Sequence, residues 1–342
     1  MRRLQKMEPL LNLVQPLLAG LCFILLVPLA AVMIGGKMPI EETEPPEQAE
    51  FPGKISTPDT ISVWLDEKEK VVKVDFEEYV CRVVASEMPA SFEEEALKAQ
   101  AVAARTYAMA KITKYEGHQP ETHPKAPVCD TTHCQVYKTE KELIKNHAEG
   151  WEETGWKKIQ KACRDTEGQL LYYNGELVMQ PLFFSSSGGQ TENSEDVFSG
   201  AVPYLVSVSS PYEEEATHQD EEKRFELSDF AEKLRQAYPD RQLGTIRQAS
   251  IKVISRTAGG RVSSMQVGDG AEGVLKGTEV RTALGLSSTL FTIRFEDGDI
   301  VFTSSGSGHG VGMSQYGADG MAKEGYDYKA ILQHYYSGTD VT

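Results

Sequence analysis

Within the 342-residue chain, the dipeptide Met88-Pro89 constrains the fold more than any other feature. A proline drives the residue before it out of the helical region, so a helix arriving from the N-terminal side must end there. Upstream, Asp75 stands as an N-cap with Glu78 as its capping-box partner, which predicts a helix running to about Glu87. Downstream, Ser91 with Glu94 predicts the start of a second helix through EEEALKAQAVAARTYAMAKIT, whose alanines let neighbours approach its backbone. Counting back from Glu87 by helical steps, Val84, Val83, Val80 and Phe76 share one face. A carboxylate therefore occupies the next core position. Partial burial and the negative end of the helix dipole both disfavour its charged form and raise its pKa. A carboxyl kept protonated near neutral pH suits general-acid chemistry. Spacing alone favours a structural role, in which Glu87 caps the next helix or pairs with Arg82 or Arg105.

Further elements follow the same logic. Arg2, Arg3 and Lys6 precede an uncharged run from Pro16 to Gly36, long enough to span a bilayer and longer than the apolar core of a cleaved signal. The expected topology is a membrane anchor within residues 1–36, with a cytoplasmic N-terminus and the bulk of the chain outside; a cleaved signal is the alternative. Residues 37–60, rich in Glu and Pro, read as a tether. Then come a hairpin in ISVWLDEKEKVVKVDF, the two helices, an irregular loop over 114–137, a helix in TGWKKIQKACRDT and a hairpin turning at Asn174-Gly175. The segment 216–295, with its own succession of helix, hairpin, helix and hairpin, reads as an inserted second domain between two parts of a main domain, 61–215 and 296–342. The last part ends in two short helices, the second flanked by Asp327 and Gly338 as caps. The expected fold class is α+β, a mixed α/β main domain carrying a smaller α+β insertion, with a single N-terminal transmembrane helix.

The formal charge of −16 argues against recognition of nucleic acid through its phosphates. GSGHGVGMSQYG lacks both the Lys-Ser/Thr end of a phosphate loop and the G-x-G-x-x-G spacing, so no nucleotide site is expected. Its glycines mark either tight turns or bare backbone that a polymer strand can approach. His118, His123, Cys129, His133 and Cys134 crowd one loop. Two imidazoles and two sulfurs suit Zn²⁺ better than any hard cation, although a Cys129–Cys134 disulfide is open on the same residues. Cys81 and Cys163 read as buried free thiols.

The blocks FEEYVCRVVASEMPASFEEEALKAQAVAARTYA, DTTHCQVY, FFSSSGGQTENSEDVF, PYLVSV and GSGHGVGMSQYGADGMAKEGYDYKAILQHYYSGT closely resemble the stage II sporulation protein D family, the engulfment lytic transglycosylases of endospore-forming bacteria. The resemblance covers about Ile61 to Thr342. It implies that Glu87, the glutamate of the SEMP motif, is the catalytic acid in cleavage of the MurNAc–GlcNAc β-1,4 bond. One carboxyl then suffices, because the sugar's own 6-hydroxyl closes a 1,6-anhydro ring and no water is consumed, unlike the two-carboxylate glycosidases. It also implies zinc near the catalytic helix, assigned to His123, Cys129, His133 and Cys134; four protein ligands point to a structural or site-shaping ion. The two polar loops would line the cleft, offering Ser187, Gly188, Gly189 and Thr191 from one and His309, Gln315 and Tyr316 from the other, with Gln100 and Arg105 from the second helix. Among the remaining acids, Glu93, Glu94, Glu95, Glu192 and Glu195 read as surface charges. Asp196 is the candidate for a second carboxylate. Implied partners are glycan strands and stage II sporulation proteins P and M, at the mother-cell engulfing membrane facing the septal space. The competing functions are a zinc-dependent amidase or peptidase centred on His123 and His133, and a non-catalytic glycan-binding scaffold.

Overall fold

The computed structural model describes residues 55–116, 120, 122–123 and 125–342. The apolar run at 16–36, most of the tether and His118 lie outside the described residues. Among the described residues no helix is long and apolar enough to cross a membrane.

Strands β1 (Thr60–Leu65) and β2 (Lys70–Asp75) form an antiparallel hairpin whose register runs from Thr60 opposite Asp75 to Leu65 opposite Lys70. Helix α1 (Phe76–Glu87) follows directly, with Asp75 accepting the Glu78 N–H at 2.9 Å. The reciprocal half of the expected capping box is missing, because the Glu78 side chain pairs with Arg82 instead. Phe76, Val80, Val83 and Val84 are all buried, as the stripe requires, and Met88 turns extended ahead of Pro89.

Helix α2 (Glu94–Lys114) starts later than the Ser91 cap predicts, and its N-cap, Glu93, makes no side-chain cap. Instead the Glu93 N–H donates to the Asp319 carboxylate at 2.6 Å, across 226 residues of sequence. A distant acid thus satisfies one orphan donor and sits favourably at the positive end of the helix dipole. This tertiary cap is invisible to local pattern.

Strand β3 (Val128–Cys129) joins β1 in parallel, setting Cys129 beside Trp64. Helix α3 (Glu140–Asn146) carries a complete Thr139/Glu142 capping box, and a π-helical turn over Glu152–Trp156 leads into α4 (Lys157–Asp165). Strands β4 (Leu171–Tyr173) and β5 (Glu176–Leu177) turn at Asn174 and Gly175, both with positive φ, as an Asn-Gly hairpin demands. Strand β6 (Phe183–Phe184) and the short α5 (Ser194–Val197) complete this part.

The next stretch runs β7 (Glu221–Glu226), α6 (Leu227–Ala237), β8 (Lys252–Arg256), β9 (Val262–Gln266), β10 (Val274–Lys276), α7 (Gly277–Leu284), β11 (Phe291–Glu296) and β12 (Asp299–Ser304). Its two sheets, ordered β10-β9-β8 and β11-β12-β7, enclose a core of their own around Phe230, Met265, Val280, Phe291 and Phe302. Position 295 falls inside the β11–β12 hairpin, whose second strand stays with this core. The chain then returns through β13 (Met313–Ser314), parallel to β6, then α8 (Gln315–Lys323), α9 (Tyr328–Tyr335) and β14 (Thr339–Val341), which pairs with β4. Asp327 caps α9 by accepting the Ala330 N–H.

Helix α2 is the axis of the main core. It is buried almost continuously from Ala96 to Ala110 and is in contact with α1, α4, α8 and α9. A helix enclosed on all sides cannot be amphipathic, and its alanines keep those neighbours close.

Candidate active site and metal-ligand cluster

Glu87 is the last residue of α1 and half-buried. Its Oε1 accepts the Val136 N–H at 2.6 Å. Burial pushes its pKa above the ordinary 4.5, while the Val136 bond and the nearby Gln315 side chain pull the other way. Gln315 comes close without forming a full hydrogen bond, and its buried Nε2 has no partner. Neither Arg82 nor Arg105 pairs with Glu87: Arg82 takes Glu78 and the Tyr137 hydroxyl, and Arg105 takes Glu77. No second acid is among the groups that shift it.

The segment that delivers Val136 is pinned on both sides. The Gln135 amide donates to the Tyr79 hydroxyl at 3.0 Å and to the Ala104 carbonyl at 3.3 Å, while Tyr137 stacks on Tyr79 with ring centres 5.4 Å apart. Immediately upstream lie the four expected ligands. The ligand atoms of His123, Cys129, His133 and Cys134 all fall within 4.8 Å of one another. The nearest approaches are 3.4 Å from Cys134 Sγ to His123 Nε2, 3.6 Å from Cys134 Sγ to His133 Nδ1 and 3.8 Å from Cys129 Sγ to His133 Nδ1. A tetrahedral ion with bonds of about 2.3 Å to sulfur and about 2.0 Å to nitrogen separates N and S ligands by about 3.5 Å, so the donor set fits one soft ion. His123 places its Nδ1 at 2.9 Å from the Ala126 carbonyl, a bond that orients the ring and leaves Nε2 for metal. The two thiols shift in opposite directions: hydrogen bonding from Cys134 and Thr131 lowers the Cys129 pKa to about 4, while Cys129 and burial push the Cys134 thiol up. All four described cysteines are free thiols, Cys81 and Cys163 among them.

The expected substrate contacts divide. Gln315 lies beside Glu87, and Tyr316 packs edge-on against Phe92 at 5.0 Å. Arg105 is a correction: it is fully buried and forms a two-bond fork with Glu77, at 2.8 and 2.6 Å, because a buried guanidinium needs a carboxylate. It ties α2 to α1 rather than reaching a substrate. Arg105→Ala is therefore expected to lower stability by about 3–5 kcal/mol, read from the urea midpoint, by stranding Glu77. Gln100 is likewise fully enclosed, with neither amide atom bonded.

Ser187 and Thr191 are also fully buried, with their hydroxyls spent on Glu213 and the Val208 carbonyl; of the four residues expected from that loop Gly189 alone is exposed. His309 is wedged between Phe184 and Phe198 and accepts the Val311 N–H on Nδ1; burial and the nearby Arg261 and Arg281 depress its pKa to about 4, so it is neutral. The glycine-rich stretch does not present bare backbone to a strand. Gly310, at φ +87°, meets the Arg261 guanidinium, where an added methyl would stand 2.6 Å from Nε; Gly312 backs onto the Leu182 carbonyl. These glycines admit the protein's own chain.

Of the remaining acids, Glu192 is buried against Thr257 and 3.6 Å from Arg261, with its pKa raised by burial. Asp196 is exposed, is held by Asn193, and faces a cavity that Glu87 does not line. Sequence reasoning missed Glu213. Its buried carboxylate accepts the Ser187 and Gly188 N–H groups, at 2.8 and 2.9 Å, and the hydroxyls of Ser187, Ser210 and Ser314. Ser314 in turn caps α8, the helix that begins with Gln315. In the sequence it is one of three consecutive glutamates, with no local signal of the donors it meets. Glu213→Ala is expected to lower stability by about 3–5 kcal/mol in urea unfolding, since it strands five donors.

The fold and site define a mixed α+β protein in which one desolvated glutamate is held by the chain leaving a four-ligand soft-metal cluster. A family model described as stage II sporulation protein matches residues 66–173, and one described as a domain of unknown function matches 212–312. The chain is 38% identical over 288 residues to stage II sporulation protein D of Bacillus subtilis, covering 84% of this chain and 80% of that one. It is 36% identical over 342 residues to stage II sporulation protein D of Bacillus amyloliquefaciens, covering 95% and 94%. The amidase enhancer of Bacillus subtilis is 30% identical over 305 residues, covering 76% of this chain and 40% of that one. The chain belongs to the stage II sporulation protein D family.

Proposed function

We propose that this protein is a peptidoglycan lytic transglycosylase that cuts the MurNAc–GlcNAc β-1,4 bond and leaves 1,6-anhydro-MurNAc ends during sporulation. The observation that carries the reading is the single desolvated carboxyl of Glu87, poised by Val136 with no acid partner. Its raised pKa lets it protonate the leaving oxygen; the resulting carboxylate then takes the proton of the 6-hydroxyl as that oxygen closes on C1. Val136 N–H steadies the carboxylate form between the two steps. With no water consumed, no second carboxylate is needed to activate one.

The ion we assign to His123, Cys129, His133 and Cys134 is Zn²⁺. It would supply fold energy and hold the 129–137 segment, and with it Val136, against α1. Four protein ligands leave no open position, which favours this role over a zinc amidase. The run at 16–36 is proposed as the membrane anchor, with the described residues outside the membrane on the mother-cell side, and stage II sporulation proteins P and M as partners.

The test is digestion of purified glycan strands with the full-length protein, followed by mass spectrometry. Products ending in 1,6-anhydro-MurNAc are expected; reducing ends alone would make the protein a hydrolase. Release of stem peptides would turn the reading towards an amidase.

A further inference from the structure

A cavity of about 230 Å³, whose walls do not include Glu87, lies where the main core meets the second one. Phe198 and His309 line it from the main core, and Thr257, Arg261, Thr278 and Arg281 from the second. The volume is below the roughly 300–1,000 Å³ of pockets for drug-sized ligands, so it takes one sugar ring or a side group rather than a strand.

Arg281 sets the chemistry. It is half-buried, and burial lowers its pKa. Among the described residues its side chain makes one hydrogen bond, from Nε to the Leu286 carbonyl at 3.3 Å, and no carboxylate pairs with it. The other inward-facing arginines are answered: Arg105 by Glu77, Arg241 by Glu279, and Arg261 by the Ser288 hydroxyl, the Ser187 carbonyl and, at 3.6 Å, Glu192. A half-buried guanidinium whose two terminal nitrogens make no hydrogen bond among the described residues is open to an anion, and its fork matches a carboxylate. Thr278 stands one turn before it on α7, whose positive dipole end, with Lys276 at the rim, adds to the field.

Two rim acids, Glu195 and Asp196, face the opening. They are exposed, and they weigh more against a dianion such as phosphate than against a single negative charge. The hydroxyls and the Phe198 ring, 43% exposed, suit the polar edge and apolar face of a sugar.

We propose that this cavity is a subsite for a singly charged carboxylate carried on a sugar, with Arg281 as its counter-ion. The source of that sugar rests on the wall-glycan reading: the carboxylate is either the lactyl group of muramic acid or a carboxyl of an attached stem peptide. The test uses the full-length chain titrated with N-acetylmuramic acid, N-acetylglucosamine and N-acetylmuramyl dipeptide by ligand-observed NMR. One or both acidic ligands should bind at least about tenfold tighter than the neutral sugar, the scale of one charge-assisted pair. Whichever binds tighter identifies the carboxylate's source. Arg281→Ala should abolish the preference and Arg281→Lys should keep part of it, both checked for folding by far-UV circular dichroism. If the alanine variant does not fold, the lysine variant and the loss of preference in high salt carry the test.

Equal binding of acidic and neutral sugars, a preference that survives in folded Arg281→Ala, or no saturable binding would overturn the proposal. Ligand preference and strand cleavage are read separately, because Glu87 does not line this cavity. Preference without strand cleavage by the native protein would therefore count against the transglycosylase alone, and cleavage without preference against this subsite alone.

Discussion

Glu87→Gln is expected to lower glycan-strand cleavage by roughly 10²–10⁴-fold, the contribution of a positioned general acid, while the protein stays folded. The expectation follows from geometry. Val136 N–H can still meet the amide oxygen, so the site keeps its shape, but no proton can be passed to a leaving oxygen. The pH dependence carries the same signature. Burial raises the Glu87 pKa above 4.5, so the protonated form persists to higher pH, and cleavage falls as pH climbs through the raised value. Stability moves in the same direction. Between the ordinary and the raised pKa the folded state binds more protons than the unfolded one, so the Glu87 contribution is fully present below 4.5 and lost as pH rises through the folded value. Glu87→Gln removes that slope. A comparison of chemical-denaturation midpoints across pH for the two proteins checks it; parallel curves would mean that Glu87 is not desolvated in solution.

Cys134→Ser, or prolonged chelation, is expected to remove about one equivalent of zinc per chain, lower the unfolding midpoint sharply and reduce cleavage at least tenfold. The thermodynamic reason is that metal bound only by the folded state adds its binding free energy to folding. The catalytic reason is positional: β3 and the turn after it carry Cys129, His133 and Cys134, and the next two residues are Gln135 and Val136, which grip Tyr79 and Glu87. Elemental analysis, thermal melts and the strand digest read the three effects. If chelated protein kept full activity, the ion would be decorative. If activity vanished while melt and fold stayed unchanged, the metal would belong to the chemistry, and the amidase reading would regain ground.

Much of this was legible in residue order, for identifiable reasons. The α1 stripe, the stop at Pro89, the Asn174-Gly175 turn and the four-ligand loop each depend on residues close in sequence, where backbone sterics and periodicity act directly. The Ser91 cap failed because Asp319, far along the chain, competes for the same helix start. Arg105 could not be placed from its helix alone, since Glu77 sits on another one and only packing shows that they meet. The glycine-rich stretch was open to two readings because a glycine signals close approach without saying to what; Arg261 and Leu182 turn out to be the neighbours. Glu213 drew no reading from the sequence, because the five donors that converge on it are assembled only by folding.

The sequence by itself determined most of the elements, the out-of-place carboxylate at Glu87 and the His/Cys set that could hold a metal, because local geometry and side-chain chemistry decide those. Only the tertiary structure decided which inward-facing charges are answered, by Glu77 for the buried Arg105 and, among the described residues, by no carboxylate for the half-buried Arg281, because pairing away from bulk water depends on contacts between residues remote in the chain.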